Sequence, residues 1–258
     1  MSFKRLTIAI AVSVFLVYAG LILSLFYFFS GPLFIKTLFS ERTLFSLRLS
    51  VITATIATLI SLLLAIPSAY ALSRYQFFGK RFIDTLLELP MIVSPVALGA
   101  MLLIFFNTPA GEMIQERAVQ FVFTIYGILL AQFITTVGIA TRLIKAVLDE
   151  IPPKYEEMAW VLGKSHVNTF FTVILPISKK GILSSAVLTW AKALGEFGAT
   201  ITIAGSMAMK TETLPIAIFM RLSSADIQGT VVLVLILTGI GLSVLYGARL
   251  LTEKKSNI

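Results

Sequence analysis

Apolar residues in this chain fall in long unbroken blocks, at about 6–28, 47–73, 83–106, 119–141, 181–204 and 229–250. A helix that crosses about 30 Å of hydrocarbon at 1.5 Å per residue needs roughly 20 apolar residues. Each block meets that length, exceeds a buried strand, and lacks the polar–apolar alternation of an outer-membrane barrel strand. The pattern predicts an all-α integral membrane protein with six transmembrane helices, read as one transmembrane domain over residues 1–258. The first block follows Lys4 and Arg5, as a signal peptide would, but its apolar run is longer than an h-region and no A-x-A site follows. It reads as a retained anchor. In the sixth block Gly239, Ser243 and Gly247 make a small-xxx-small stripe, the signature of close helix packing.

Composition agrees with the blocks. Hydrophobic residues make up 57% and charged residues 13%, with a mean hydropathy of +0.94, against about 25% charged in soluble domains. There are no cysteines and a single histidine, His166. Disulfides, Cys-ligated clusters and most His-based metal or acid–base sites are therefore excluded, no cofactor or metal is expected, and His166 is given no role. Of the 21 Lys and Arg, 14 lie inside and six outside if the N-terminus is cytoplasmic, and Lys192 falls within a span. That bias predicts both termini in the cytoplasm. The net charge of +8 then reflects topology and anionic lipid, and no nucleic-acid partner is expected.

Connections between blocks are short, except for about 142–180. Pro152 and Pro153 suit the first turn of a new helix, Glu156 and Glu157 follow where the helix dipole favours anions, and Gly163 with Lys164 ends it. Tyr155, Met158, Ala159 and Leu162 recur at helical spacing and give one apolar face. The result is a short amphipathic helix over about 154–163, which physics alone allows either to lie on lipid or to dock into a groove on a soluble partner.

The motif Glu157-Met158-Ala159, three residues, Gly163, nine residues, Val173, one residue, Leu175-Pro176 resembles the EAA loop of ABC importer permeases, with Met158 in place of alanine and Val173 in place of isoleucine. The resemblance implies that this helix is the coupling helix seated in a cleft of an ATPase subunit. The coupling residues it points to are Glu157, Met158, Ala159, Leu162, Gly163, Leu175 and Pro176. A second stretch, Trp190-Ala-Lys-Ala-Leu-Gly-Glu-Phe-Gly-Ala-Thr200 followed by Thr211-Glu-Thr-Leu-Pro215, resembles the molybdate/tungstate permeases and their sulfate relatives. Lys192 stands there where arginine is frequent. Glu88-Leu-Pro90 with Ser94-Pro95 resembles a D-L-P element of the same group, and the length resembles its archaeal members. What these resemblances imply is an oxyanion importer subunit that acts as a homodimer, with two ATPase subunits, an extracytoplasmic binding protein, and a pathway at the dimer interface. Sulfate, thiosulfate or another solute is the alternative within the family.

Several charged or helix-breaking residues fall inside the blocks. Lys192 and Glu196 share a helix face four residues apart. Burying either alone costs at least about 2.5 kcal/mol on insertion scales, which suits a mutually satisfied pair, or a lysine that meets the anion at the pathway. Pro90 and Pro95 free backbone groups in the third block, a packing kink or a functional break, while Glu88, Ser94 and Thr200 complete the pathway or gate candidates. Gly205-Ser-Met-Ala-Met-Lys210-Thr211 looks like a phosphate loop, yet it lacks the glycine before lysine and follows no strand. ATP hydrolysis is therefore expected on a partner and not on this chain. An ion-coupled secondary transporter would show more intramembrane carboxylates, and an intramembrane enzyme would need a catalytic constellation that the blocks lack.

Overall fold

The computed structural model describes residues 3–253, and every element among them is helical. In order these are α1 Phe3–Leu25, α2 Gly31–Leu38, α3 Glu41–Arg74, α4 Lys80–Leu86, α5 Leu89–Ile92, α6 Pro95–Phe106, α7 Pro109–Arg117, α8 Ile125–Asp149, α9 Lys154–Val161, α10 His166–Thr169, α11 Leu175–Leu194, α12 Gly198–Ala204, α13 Leu214–Ser223 and α14 Ile227–Glu253. Five continuous helical stretches are long and apolar enough to cross a membrane: Phe3–Phe28, Glu41–Arg74, Ile125–Asp149, His166–Leu194 and Ile227–Leu250. A sixth is reached only if Lys80–Ile92 and Pro95–Phe106, bent by 112° between them, count as one span.

The centre of the fold is the pairing of α3 with α8, onto which α11 and α12 pack. α3 lines this contact with small residues: Ala54, Ala57, Ala65 and Ala69 are fully buried, beside buried Ser50, Thr53 and Ser61. In lipid no hydrophobic force separates helix from solvent, so close backbone approach and interhelical hydrogen bonds hold helices together. Ser61 and Thr136 hydroxyls meet at 3.0 Å between α3 and α8, and Gln132 Nε2 donates to the Ala193 carbonyl at 3.1 Å between α8 and α11. An apolar layer of Ala65, Ala69, Ala140, Ile144, Leu148, Ile151 and Ile174 closes one end of the bundle. By contrast, α1 buries none of its side chains. On α14, among the described residues nothing lies within 4 Å of a Cβ placed at Gly239 or Gly247, so these two members of the small-residue stripe expected to pack meet no neighbouring helix.

Three expected blocks are redrawn. The third is broken: α5 ends at Ile92, Val93 is extended, and the Ser94 hydroxyl caps α6 by accepting the Ala97 N–H at 3.3 Å, with Pro95 at the first turn. The fourth, expected at 119–141, is helical from Ile125 to Asp149, so Arg142 and Lys145 sit on its last turns and not in a loop. The fifth, expected at 181–204, starts at His166, because the π-turn Phe170–Ile174 carries the helix into Leu175-Pro176. Pro176 has no N–H and would crowd the carbonyl four residues back, and the widened turn just before it absorbs that defect. The same block then breaks at Gly195-Glu196-Phe197 before α12.

Candidate functional site

The helix expected at 154–163 is α9, capped by a glycine at Gly163 with φ +81. Its orientation differs from the expectation. Ala159, placed by periodicity on the outward face, is 5% exposed and turned into the chain, on the same side as Glu156. Outward lie Tyr155, Met158, Val161 and Leu162, the last two 87% and 80% exposed, together with Glu157. Glu156 dictates this rotation. One of its carboxylate oxygens accepts Arg74 Nε at 2.6 Å, the other accepts the Tyr70 hydroxyl at 2.8 Å, and Arg74 Nη2 reaches the Ile151 carbonyl at 2.8 Å. A carboxylate this buried is stable only when paired and hydrogen-bonded, so α9 is bolted to the end of α3 by one side and offers apolar side chains on the other. Trp160 stacks edge-on against His166 at 4.5 Å between ring centroids, giving the single histidine a packing contact. Leu175 and Pro176 lie at the π-turn, apart from the exposed tip of α9.

The two breaks meet. A Cβ on Gly198 would lie 3.0 Å from Pro95 Cβ and the Val96 backbone nitrogen, and one on Gly99 would lie 2.8 Å from Ala199 Cα. Glycine at these points lets α6 and α12 touch backbone to backbone. Ser94, Pro95, Glu196 and Thr200, singled out from separate blocks, are thereby brought to one region of the bundle. Glu196 is 1% exposed; one oxygen accepts the Ala199 N–H at 3.0 Å, capping α12, and the other takes the Lys192 ammonium at 3.2 Å. The Lys192 side chain is 41% exposed, so the pair presents its positive end outward. Discontinuous helices meeting within the bundle are the setting in which transporters place substrate sites. Thr200 departs from expectation: it is fully buried, and among the described residues its hydroxyl has no hydrogen-bond partner.

Glu196→Gln leaves the Lys192 charge without its counter-ion inside a span, and a loss of roughly 2.5–3.5 kcal/mol, the insertion cost of such a charge, is expected in detergent melting. The double change Lys192→Met with Glu196→Gln is expected to recover most of it. Unchanged melting of the single variant together with collapsed uptake would reverse the structural reading and make Lys192 a pathway residue.

Glu88 and Pro90 belong to a different set of contacts. Glu88 pairs with Arg142 of α8, and Pro90 sits second in the single turn of α5. Periodicity also missed a fully buried carboxylate, Glu212, within the Thr-Glu-Thr-Leu-Pro turn. Arg42 holds both its oxygens, Nε at 2.7 Å and Nη2 at 2.5 Å, tying the start of α3 to the turn before α13. The signal for it was the lone carboxylate between Thr211 and Thr213, within the stretch that resembles the oxyanion permeases. Among the described residues no group of three or more His, Cys, Asp or Glu is placed to hold a metal ion.

A multi-helix bundle with two broken spans and a short helix mounted outside them defines a membrane transport subunit. The profile described as "Binding-protein-dependent transport system inner membrane component" matches residues 57–257, and the chain belongs to that ABC permease family, whose members are multi-pass proteins of the cell membrane. The chain is 37% identical over 177 residues to the molybdenum transport system permease protein ModB of Haemophilus influenzae, covering 67% of this chain and 77% of that one. It is 29% identical over 209 residues to the sulfate transport system permease protein CysT of Escherichia coli, covering 80% and 76%. A bacterial alginate ABC transporter, solved in complex with an alginate pentasaccharide-bound periplasmic protein, shares the fold with a TM-score of 0.78 at 15% identity, covering 99% of this chain and 94% of that one. Membership of this family displaces the ion-coupled carrier as an alternative.

Proposed function

We propose that two copies of this chain form the membrane channel of an ABC importer for molybdate or tungstate, fed by an extracytoplasmic binding protein and driven by two ATPase subunits. Both termini and α9 face the cytoplasm, in keeping with the bias of basic residues. The observation that carries this reading is the two-sided mounting of α9. Glu156 and Ala159 are buried against the chain, while Met158, Val161 and Leu162 stand free, as a helix built to enter a partner's groove requires. ATP-driven closure of the ATPases moves the two α9 helices, and the bundle alternates between facing outward and inward by rigid-body shifts. The chain itself contributes no ATP site. What supports an oxyanion as substrate is the likeness to molybdenum and sulfate transport permeases, together with the Lys192–Glu196 pair, which offers an outward ammonium to an anion.

Met158→Asp with Leu162→Asp is expected to cut copurification with the ATPase roughly tenfold or more, the loss of two apolar anchors each worth up to ~2 kcal/mol. The detergent-solubilised chain is expected to elute unchanged from size exclusion. Ala159→Asp tests the mounting and not the docking, because Ala159 faces inward. A fully assembled, transporting Met158→Asp/Leu162→Asp complex would overturn the coupling role. Uptake of molybdate, tungstate and sulfate into proteoliposomes holding the whole system decides the substrate: sulfate alone entering would move the assignment to the sulfate reading.

A further inference from the structure

One stripe of α8 carries Gly138, Arg142, Lys145 and Asp149, spaced four, three and four residues apart and so aligned along one face. At one end of the stripe the Leu87 carbonyl sits where a Cβ on Gly138 would be, only 2.1 Å away, so the backbone before the third-span break rests directly on α8. One turn on, Arg142 pairs with Glu88 and lies 3.8 Å from Asp84. Lys145 lies 3.9 Å from the other oxygen of Asp84 and 3.2 Å from Asp149. Asp149 accepts the Ser73 hydroxyl at 2.5 Å, and Ser73 in turn accepts Arg74 Nη1 at 3.2 Å. Arg74 holds Glu156 of α9.

We propose that this continuous line of side chains, from Glu156 on the loop helix to Glu88 at the third-span break, makes Arg142 and Asp149 positioning residues that set the break according to the position of α9. The inference rests on the reading of α9 as the coupling helix. The decisive point is what else holds the segment Lys80–Ile92. Its apolar side chains Phe82, Leu86, Met91 and Ile92 are 71%, 52%, 65% and 75% exposed and only Leu87, Leu89 and Pro90 are partly buried, so packing within the chain holds it lightly. The grip comes from the Gly138 contact and the ion pairs. Those pairs are partly exposed, with side chains between 22% and 42% accessible, which makes each one weak and reversible. The α3–α8 core, by contrast, is held by fully buried side chains packed on one another. A firmly packed pair of helices bearing a row of weak ionic contacts can shift its hold on the break without disturbing its own core.

The absence of native cysteine makes the test direct. Met91→Cys places one thiol on the exposed turn beside the break, in the full chain assembled with its ATPase in nanodiscs. The rate of maleimide labelling is measured with and without a non-hydrolysable ATP analogue. The nucleotide-induced change in rate is expected to shrink roughly threefold or more in Arg142→Gln and in Asp149→Asn, the scale of residues that carry coupling between sites. Arg142→Lys is expected to restore it, and ATPase binding is expected to persist in all of them. Glu88→Gln, which keeps the shape and removes only the charge, supplies the same reading if Arg142→Gln fails to assemble. A labelling response in Arg142→Gln, Asp149→Asn and Glu88→Gln equal to that of the Met91→Cys parent overturns the proposal. So does a parent that binds ATPase but shows no nucleotide response, whereas a parent that binds no ATPase overturns the coupling function itself.

Discussion

Arg74→Met is expected to be the most damaging single substitution outside the docking tip. It strands the Glu156 carboxylate, 2% exposed, with only the Tyr70 hydroxyl, and it leaves the Ile151 carbonyl without its donor. Removing one partner of a buried pair costs about 3–5 kcal/mol, because the surviving charge keeps its desolvation penalty. Glu156→Gln is expected to be milder, since its single amide oxygen still accepts from Arg74 while its NH2 donates to the Tyr70 hydroxyl, which turns to accept. The double variant Arg74→Met with Glu156→Leu is expected to regain much of the stability, as paired apolar replacements do. The readouts separate stability from coupling. Detergent melting of the double variant is expected near that of the parent, whereas ATP-driven uptake stays low because α9 is no longer held to α3. Full uptake by a stable double variant would show that the apolar layer of Ala69, Leu148 and Ile174 alone transmits the movement.

The second large effect is expected at the opposite end of α3. Glu212 is 0% exposed and depends on the two-pronged grip of Arg42. Arg42→Met is expected to cost about 3 kcal/mol, the low end for a broken buried pair, because half of the Arg42 side chain is already in contact with solvent. Arg42→Lys is expected to rescue only part of this, since an ammonium cannot engage both oxygens in the planar fork that the guanidinium uses. Changing Arg42 and Glu212 together to methionine is expected to restore melting. The turn has a second hold, the Leu214 N–H on the Ser50 hydroxyl at 2.6 Å, which stays intact in every variant. Unaltered melting of Arg42→Met would show that this hydrogen bond suffices and that the ion pair is idle.

Hydropathy located the bundle because apolar runs of membrane length have few other uses. Its errors have physical causes. A sliding average follows the most apolar residues, so it centred the fourth block too early and assigned Arg142 and Lys145 to a loop, although a helix continues into its polar last turns. The start of the fifth helix was hidden for the same reason, since His166, Ser178, Lys179 and Lys180 are polar yet helical. The break at Gly195-Glu196-Phe197 left the run apolar and so invisible to hydropathy. Only the charge at Glu196 and the glycines flanking it hinted that something interrupted the helix. Short-range spacing found the Lys192–Glu196 pair because its members are four residues apart. It had no access to Arg74–Glu156 or Arg42–Glu212, whose partners are 82 and 170 residues apart in sequence. The rotation of α9 followed from the first of these. Once Glu156 is committed inward, Ala159 on the same side must follow, and the apolar face read from periodicity turns away from the one that is exposed.

The glycines divide the molecule into regions that evolution can and cannot edit. A glycine codon reaches other residues by single-base changes that all add a Cβ. At Gly138 that atom would fall 2.1 Å from the Leu87 carbonyl, and at Gly99 it would fall 2.8 Å from Ala199 Cα, both backbone positions that no rotamer change can clear. At Gly239 and Gly247 on α14 the same mutation meets open space within the chain. Sequence drift is thus closed off where the third span leans on its neighbours. At these two positions of α14 nothing among the described residues opposes it, and that surface can grow to suit its bilayer.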